Sequence, residues 1–306
     1  MSLLSLLKGR RGASGFGYAS TAEEVTSGLD LSGKNILITG INSGLGQESA
    51  RVLTKRGARI VCLARTIDKA AEAARVLGNG AVPVACELSE PASVRAAVEQ
   101  LQKLSIPLDV VLCNAGIMAL AKREVRYGQE LQFLTNHIGH FILVTGLLEQ
   151  LRERGRVVML SSSAHTMAPS QGIQFDDLSF EHGYSKWGAY GQSKLANLLF
   201  ARSLARKLKG SSRTANALHP GVIETNLGRH LNLAAKIAFP IGSALAMKNI
   251  PEGAATQCYV ATHPSLEGVT GEYFADSNLS KSSRLSRDEA LADKLWTVTE
   301  QIVAGL

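Results

Sequence analysis

Tyr190 and Lys194 stand four residues apart in the stretch AYGQSK. On a helix that spacing puts both side chains on one face. A free phenol, with a pKa of about 10, is a poor proton carrier at neutral pH. A cation beside it favours the phenolate and brings proton exchange within reach. The pair could therefore give a proton to an oxygen and take it back. Y-x-x-x-K alone arises by chance about once in every chain or two, so its meaning depends on position. Of the six tyrosines only Tyr190 has a lysine four residues on. A second candidate lies far upstream. TGINSGLG, residues 39–46, offers Gly40 for a tight turn, and Gly44 and Gly46 where backbone could approach a pyrophosphate, with Asn42, Ser43 and Leu45 between and beside them.

The elements that must position these groups alternate regularly. Strand-like apolar runs cover Asn35–Thr39, Arg59–Leu63, Val82–Cys86, Val110–Cys113, Arg156–Leu160 and Thr214–Leu218, and Gly271–Phe274 could add a seventh. Helical patterns lie near 45–56, 68–77, 91–104, 129–151 and 188–209. Nearly continuous apolar strands are buried on both faces. The expected fold is an α/β, Rossmann-like doubly wound parallel sheet of about seven strands with helices on both faces. Its ligands belong at the C-terminal ends of the strands. The glycine turn falls there, between the first strand and first helix, as a dinucleotide phosphate would require. The second strand ends in Cys62-Leu-Ala-Arg65-Thr66, with no carboxylate for a ribose 2′-hydroxyl. Arg65 could instead hold a 2′-phosphate, so NADP(H) is expected over NAD(H).

Thr39–Gly46, Asn114-Ala115-Gly116 after the fourth strand and Tyr190-x-x-x-Lys194 together resemble the short-chain dehydrogenase/reductase family over about residues 30 to 275. Asn136-His-Ile-Gly-His-Phe141, Ser161-Ser-Ser-Ala-His165 and the helix after Tyr190 are similar to its retinol-dehydrogenase-like branch. The ends of the chain look closer still to plant chloroplast-envelope short-chain dehydrogenases and to the oxidoreductase domain of the WW-domain-containing oxidoreductase. The resemblance implies hydride transfer between a nicotinamide cofactor and a carbonyl or alcohol. It makes Tyr190 the acid/base and Lys194 its tuning cation and ribose ligand. Ser162, the middle of three serines, would hold the substrate oxygen, and Asn136 the water of a proton relay. It adds Asn114, Ala115, Gly116, Pro220, Gly221, Ile223 and Thr225 to the cofactor contacts. Glu87-Leu88 stands where the family usually has Asp and an apolar residue near the adenine. Met118, His165 and Leu231 are expected at the substrate. The resemblance also leaves open a cofactor-binding redox regulator or scaffold with little turnover, and dehydration or epimerisation on the same scaffold.

Composition bounds the rest. The chain has 306 residues, 45% hydrophobic and 19% charged, and a net charge of +7. The charge suits acidic ligands, but scattered basic residues and 5% aromatics speak against nucleic acid. No apolar run reaches the roughly 18 residues of a membrane span. In MSLLSLLKGRRG the charges follow the apolar residues, the wrong order for a secretory signal, leaving a tail with at most peripheral membrane contact. Cys62, Cys86, Cys113 and Cys258 form no C-x-x-C pair, which suits a reducing compartment such as the cytoplasm. His137 and His140 have i, i+3 spacing without a completing ligand set, so no metal is expected. Residues 1–29 are expected as an extension with a short helix, and 30–306 as one domain. Within it 226–252, with Leu231, Leu233, Ile237, Phe239, Leu245 and Met247, would form a substrate lid. Those apolar residues suit a lipophilic substrate such as a retinoid, steroid, fatty aldehyde or polyketide-like ketone. Capping boxes are expected at Ser20–Glu23 and Ser286–Glu289. Phe141–Leu148 and Leu195–Phe200 are apolar nearly all round, which predicts a homodimer packed through these helices.

Overall fold

The computed structural model describes residues 9–223 and 247–306. Seven parallel strands and one short antiparallel edge strand make a single sheet, in the order β10-β9-β8-β7-β4-β1-β2-β3. They are β1 (Asn35–Thr39), β2 (Arg59–Ala64), β3 (Val82–Ala85), β4 (Leu108–Cys113), β7 (Leu151–Leu160), β8 (Thr214–His219), β9 (Tyr273–Ala275) and β10 (Asn278–Leu279). β5 (Val125–Arg126) and β6 (Gln129–Glu130) form a separate hairpin. Successive side chains of β1 enter opposite layers: Leu37 joins one core, Ile36 and Ile38 the other. That alternation of a buried strand explains why the sequence runs are uninterruptedly apolar.

A short helix, α1 (Ala22–Val25), precedes the sheet. Helices α2 (Gly44–Lys55), α3 (Ile67–Leu77) and α4 (Pro91–Leu104) follow β1, β2 and β3. The predicted helix over 129–151 is instead composite. It runs as α5 (Leu131–Phe133), a π-helical turn (Leu134–Ile138) and α6 (Gly139–Gly146), and β7 has begun by Leu151. The long helix α7 (Lys186–Lys207) carries Tyr190, and its first turn is capped by Ser185. Helices α8 (Ile250–Thr262) and α9 (Glu289–Ala304) complete the two layers.

Neither predicted capping box forms where expected: the first shifts, and the second gives way to a simple cap. The Ser20 hydroxyl accepts from Gly17 N, and the box forms one residue on, between Thr21 and Glu24. Ser286 gives its hydroxyl to Ser283 O, and Asp288 caps α9. The lid expectation falls mostly on 226–246, outside the described residues; its last residues, Ile250–Glu252, are the first turn of α8.

The basis for the predicted dimer also changes. The apolar faces of α6 and α7 are already buried within one chain. Trp296 of α9 stacks on Phe200 at 5.4 Å and meets Phe141 edge-on at 5.0 Å. Leu295 and Ala292 join the same core. Helices apolar on every side need cover, and α9 supplies it without a second subunit.

Candidate active site

β7 ends at Leu160, and the three serines that follow separate by function. Ser161 is buried and gives its hydroxyl to Lys194 O at 2.7 Å, tying β7 to α7. The Ser162 hydroxyl accepts from Ala164 N at 3.1 Å, capping a short 3₁₀ turn, and lies close enough to the Tyr190 phenol to favour its ionised form. Ser163 is exposed, and its backbone N donates to His219 Nδ1. The middle serine is thus the one that meets the tyrosine.

Tyr190 and Lys194 lie on the inward face of α7. Lys194 is 3% exposed and donates to Leu160 O at 3.0 Å. Its ammonium stands 5.7 Å from the centre of the Tyr190 ring. Burial pushes the lysine down to about 8, because a desolvated ammonium is costly. Burial also pushes the phenol up to about 12, against the pull of the nearby Ser162 hydroxyl. In the protein alone burial therefore outweighs the expected lowering of the phenol by the neighbouring cation, and Tyr190 is held as a neutral donor.

Asn136 sits in the π-helical turn, and both ends of its side-chain amide are engaged. Oδ1 accepts from Ile117 N at 2.8 Å, and Nδ2 donates to Ile117 O and Ser193 Oγ, both at 2.9 Å. The amide clamps the segment after β4 to α7. Ser193, which passes this link on to Tyr190 O, was not singled out from sequence. Nor was Thr39, whose hydroxyl accepts from Asn114 N and Ala115 N at 3.0 and 2.9 Å. Only its place at the head of the glycine motif could have flagged it.

His140 completes that corner. Its Nδ1 donates to Asn136 O at 2.9 Å, leaving Nε2 to accept from Thr39 at 3.0 Å. Burial takes its pKa down to about 4, so the ring stays neutral. His137 reaches Thr299 of α9 at 3.0 Å. Among the described residues no group of three or more His, Cys, Asp or Glu could hold a metal. His165, expected at the substrate, is buried with both ring nitrogens engaged, by Ser162 O at 2.6 Å and Ser283 N at 3.1 Å.

The glycine turn fits a phosphate, though not for the expected reason at every position. Gly44 has φ +56 and open space where a side chain would stand. A Cβ at Gly46 would instead collide with Gly40 O and the Asn114 amide, so Gly46 is required by the turn's own packing. Leu45 is buried, while Asn42 and Ser43 are not. Asn114 Oδ1 is buried without a hydrogen-bond partner among the described residues, and Gly116 faces the Asn136 and Lys194 side chains. Arg65 is exposed at the end of β2, with no hydrogen bond or ion pair among the described residues. Glu87 folds back onto Ser89 N and Oγ, and Leu88 is buried beneath Gly139. Pro220, Gly221 and Ile223 follow β8 at the same edge, with Met118 half-buried after β4. Thr225 and Leu231 lie outside the described residues. A cleft of about 630 Å³ lined by Arg202, Arg206, Arg213 and Arg287 opens at the opposite edge, where β8 begins, away from all of these groups.

The sequence profile described as short chain dehydrogenase matches residues 34–175. A short-chain dehydrogenase of Brassica napus, TIC 32 B, chloroplastic, is 42% identical over the whole of both chains. The chain belongs to the short-chain dehydrogenase/reductase family of oxidoreductases. Within it human retinol dehydrogenase 14 is 39% identical, over 90% of this chain and 88% of that protein. A crystal structure from Mycobacterium paratuberculosis superimposes with a TM-score of 0.74 at 33% identity, covering 92% and 97% of the two chains. A metagenomic blue fluorescent protein in complex with NADPH does so with a TM-score of 0.64 at 27% identity, covering 80% and 97%. As a family member, this chain has the fold of proteins that bind nicotinamide cofactors. Among the described residues no helix is long and apolar enough to cross a membrane.

Proposed function

We propose that this chain is an NADP(H)-dependent oxidoreductase that interconverts a carbonyl and an alcohol on a lipophilic substrate. The observation that carries the reading is the placing of Tyr190 beside the buried Lys194, with Ser162 close by at the end of β7, on the sheet edge that also bears the open glycine turn. Gly44, Arg65 and Asn114 would hold the cofactor's phosphate and adenosine end, and the Gly221 turn its nicotinamide end. When bound, the cofactor supplies or accepts the hydride. Ser162 holds the substrate oxygen, and Tyr190 gives it a proton in reduction and removes one in oxidation. A neutral phenol suits the reductive direction. Lys194 supplies the positive charge that the phenolate left behind requires. Asn136 is a positioning residue, keeping the segment after β4 against α7.

Arg65, exposed where a 2′-phosphate would lie and without an ion pair among the described residues, supports NADP(H). The NADPH complex of the blue fluorescent protein supports it too. For the substrate, Trp187 stands edge-on to Tyr190 at 6.2 Å, and Met167 and Val222 are exposed. The retinol dehydrogenase relatives support the same lipophilic class. Phe180, by contrast, is buried and contributes nothing to such a surface. Four buried free thiols support a reducing compartment, and the chloroplastic Brassica relatives support an organelle as readily as the cytoplasm.

NADPH oxidation by the purified protein against all-trans-retinal, a steroid ketone, a long-chain aldehyde and a sugar tests this. Turnover of the apolar carbonyls is expected, with Tyr190→Phe lowering kcat by about 10³-fold. Turnover of the sugar alone would end the lipophilic reading. NADPH binding with no carbonyl consumed would favour a redox regulator, whose biological effect Tyr190→Phe leaves intact.

A further inference from the structure

The chain leaves the Pro220–Gly221 turn at Ile223, and at Lys248 it lies beside that turn again. The two residues form a parallel bridge, and Lys248 N donates to Val222 O at 2.8 Å. Lys248 is 1% exposed, a rare place for an ammonium. Its Nζ donates to Asp276 Oδ1 at 2.6 Å and stands 4.6 Å from the centre of the Tyr18 ring. The methylene stem passes under Gly221. A Cβ on that glycine would come within 2.7 Å of Cδ and 2.9 Å of Cε, and its φ of +103 already excludes most other residues.

The anchor is itself fixed. Asp276 and Ser277 occupy the turn between β9 and β10, both with left-handed backbone, φ +51 and +59. Ser277 N donates to Thr256 of α8 at 3.1 Å, and Asn278 Nδ2 donates to Asp276 O at 2.7 Å and to Phe16 O at 3.0 Å. Sheet edge, α8 and the N-terminal segment thus all hold the carboxylate that holds the lysine.

We infer that Lys248 is a positioning residue for the cofactor. Its stem, pinned by Asp276 and Tyr18, sets the height of the Pro220–Gly221 turn against the nicotinamide end. The inference rests on the reading of that turn as a nicotinamide contact. The pair is asymmetric: the lysine side chain is 1% exposed and the carboxylate 42%. Removing the carboxylate strands a buried cation, which must move toward water and pull its stem from beneath the turn. Removing the cation leaves a carboxylate that water can still solvate.

The test compares two ligands by fluorescence titration: NADPH, and adenosine 2′,5′-bisphosphate, which lacks the nicotinamide half. Asp276→Asn and Lys248→Ala are each expected to weaken NADPH about 10-fold and the bisphosphate less than about 2-fold. Lys248→Met, which keeps the stem, is expected within about 3-fold of the unaltered protein for both. Equal weakening of both ligands, or no change in NADPH affinity in either of the first two variants, would overturn the inference. Should Lys248→Ala fail to fold, Asp276→Asn decides by the same comparison. If the unaltered protein binds the bisphosphate as tightly as NADPH, the nicotinamide reading of the turn fails first, and is recognised as such.

Discussion

Two lysines are buried near the C-terminal edge of the sheet, and they are kept there by opposite means. Lys248 has a carboxylate at 2.6 Å and an aromatic face. Lys194 has a backbone carbonyl at 3.0 Å and, among the described residues, no carboxylate partner. A full counter-charge fixes a cation in place and quenches its field. A neutral partner leaves the charge uncompensated, so it is available to a phenolate or a ribose and costly to maintain. The first arrangement suits a strut, the second a catalytic group, and the cost at Lys194 appears as its pKa of about 8.

Exchanging each lysine for methionine should separate the two roles most sharply. Lys194→Met is expected to lower kcat by about 10³-fold, a loss of the size of a missing acid/base partner. Lys248→Met should leave kcat within about 3-fold; comparable losses would erase the distinction. Stability should separate them as well. A lysine moved from 10.5 to about 8 on folding carries a penalty on the order of 3 kcal/mol while it is charged in both states. The unfolded chain binds the extra proton between those values, so stability from this group rises with pH from about 8 to 10.5. Urea unfolding of the cofactor-free protein and of Lys194→Met at both ends of that range should show the gap moving in the unaltered protein's favour at high pH. An unchanged gap would mean that the ammonium is better solvated than its burial implies.

The serines sharpen the catalytic half. Ser162→Ala should lower kcat by about 10²-fold with stability nearly unchanged. Ser161→Ala should cost about 0.5–1.5 kcal/mol of stability, the net worth of the hydrogen bond that ties β7 to α7. Ser163→Ala should do neither. At the far end of the cofactor, Arg65→Ala is expected to raise KM for NADPH about 10-fold and leave NADH unaffected. Equal effects on both cofactors would detach Arg65 from the 2′-phosphate.

Much of this was legible in the sequence because parallel strands buried on both faces carry a strong apolar signal; β1 has the expected limits and β8 differs by one residue. Tyr190, Lys194 and the glycine turn were legible because chemistry restricts their residue types. The misses have physical causes. Periodicity is blind to a π-turn where every side chain is buried, as through Leu134–Ile138. S-T-A-E-E contains two overlapping capping frames, and a bond from Gly17 to Ser20 outside both decides between them. Lys248 gave no sign because its carboxylate lies 28 residues away, brought close only by β9 and its turn. The apolar helices implied cover correctly, but the cover came from α9.

That last helix has a kinetic consequence. Because Trp296 belongs to the same chain as Phe141 and Phe200, closure of this face is a unimolecular event at constant effective concentration. Dilution cannot uncover it as it would a subunit interface, so specific activity should stay level where a dimer joined through this face would fade. Local unfolding of the last helix, or proteolytic loss of its final turns, would be needed to lay the face open.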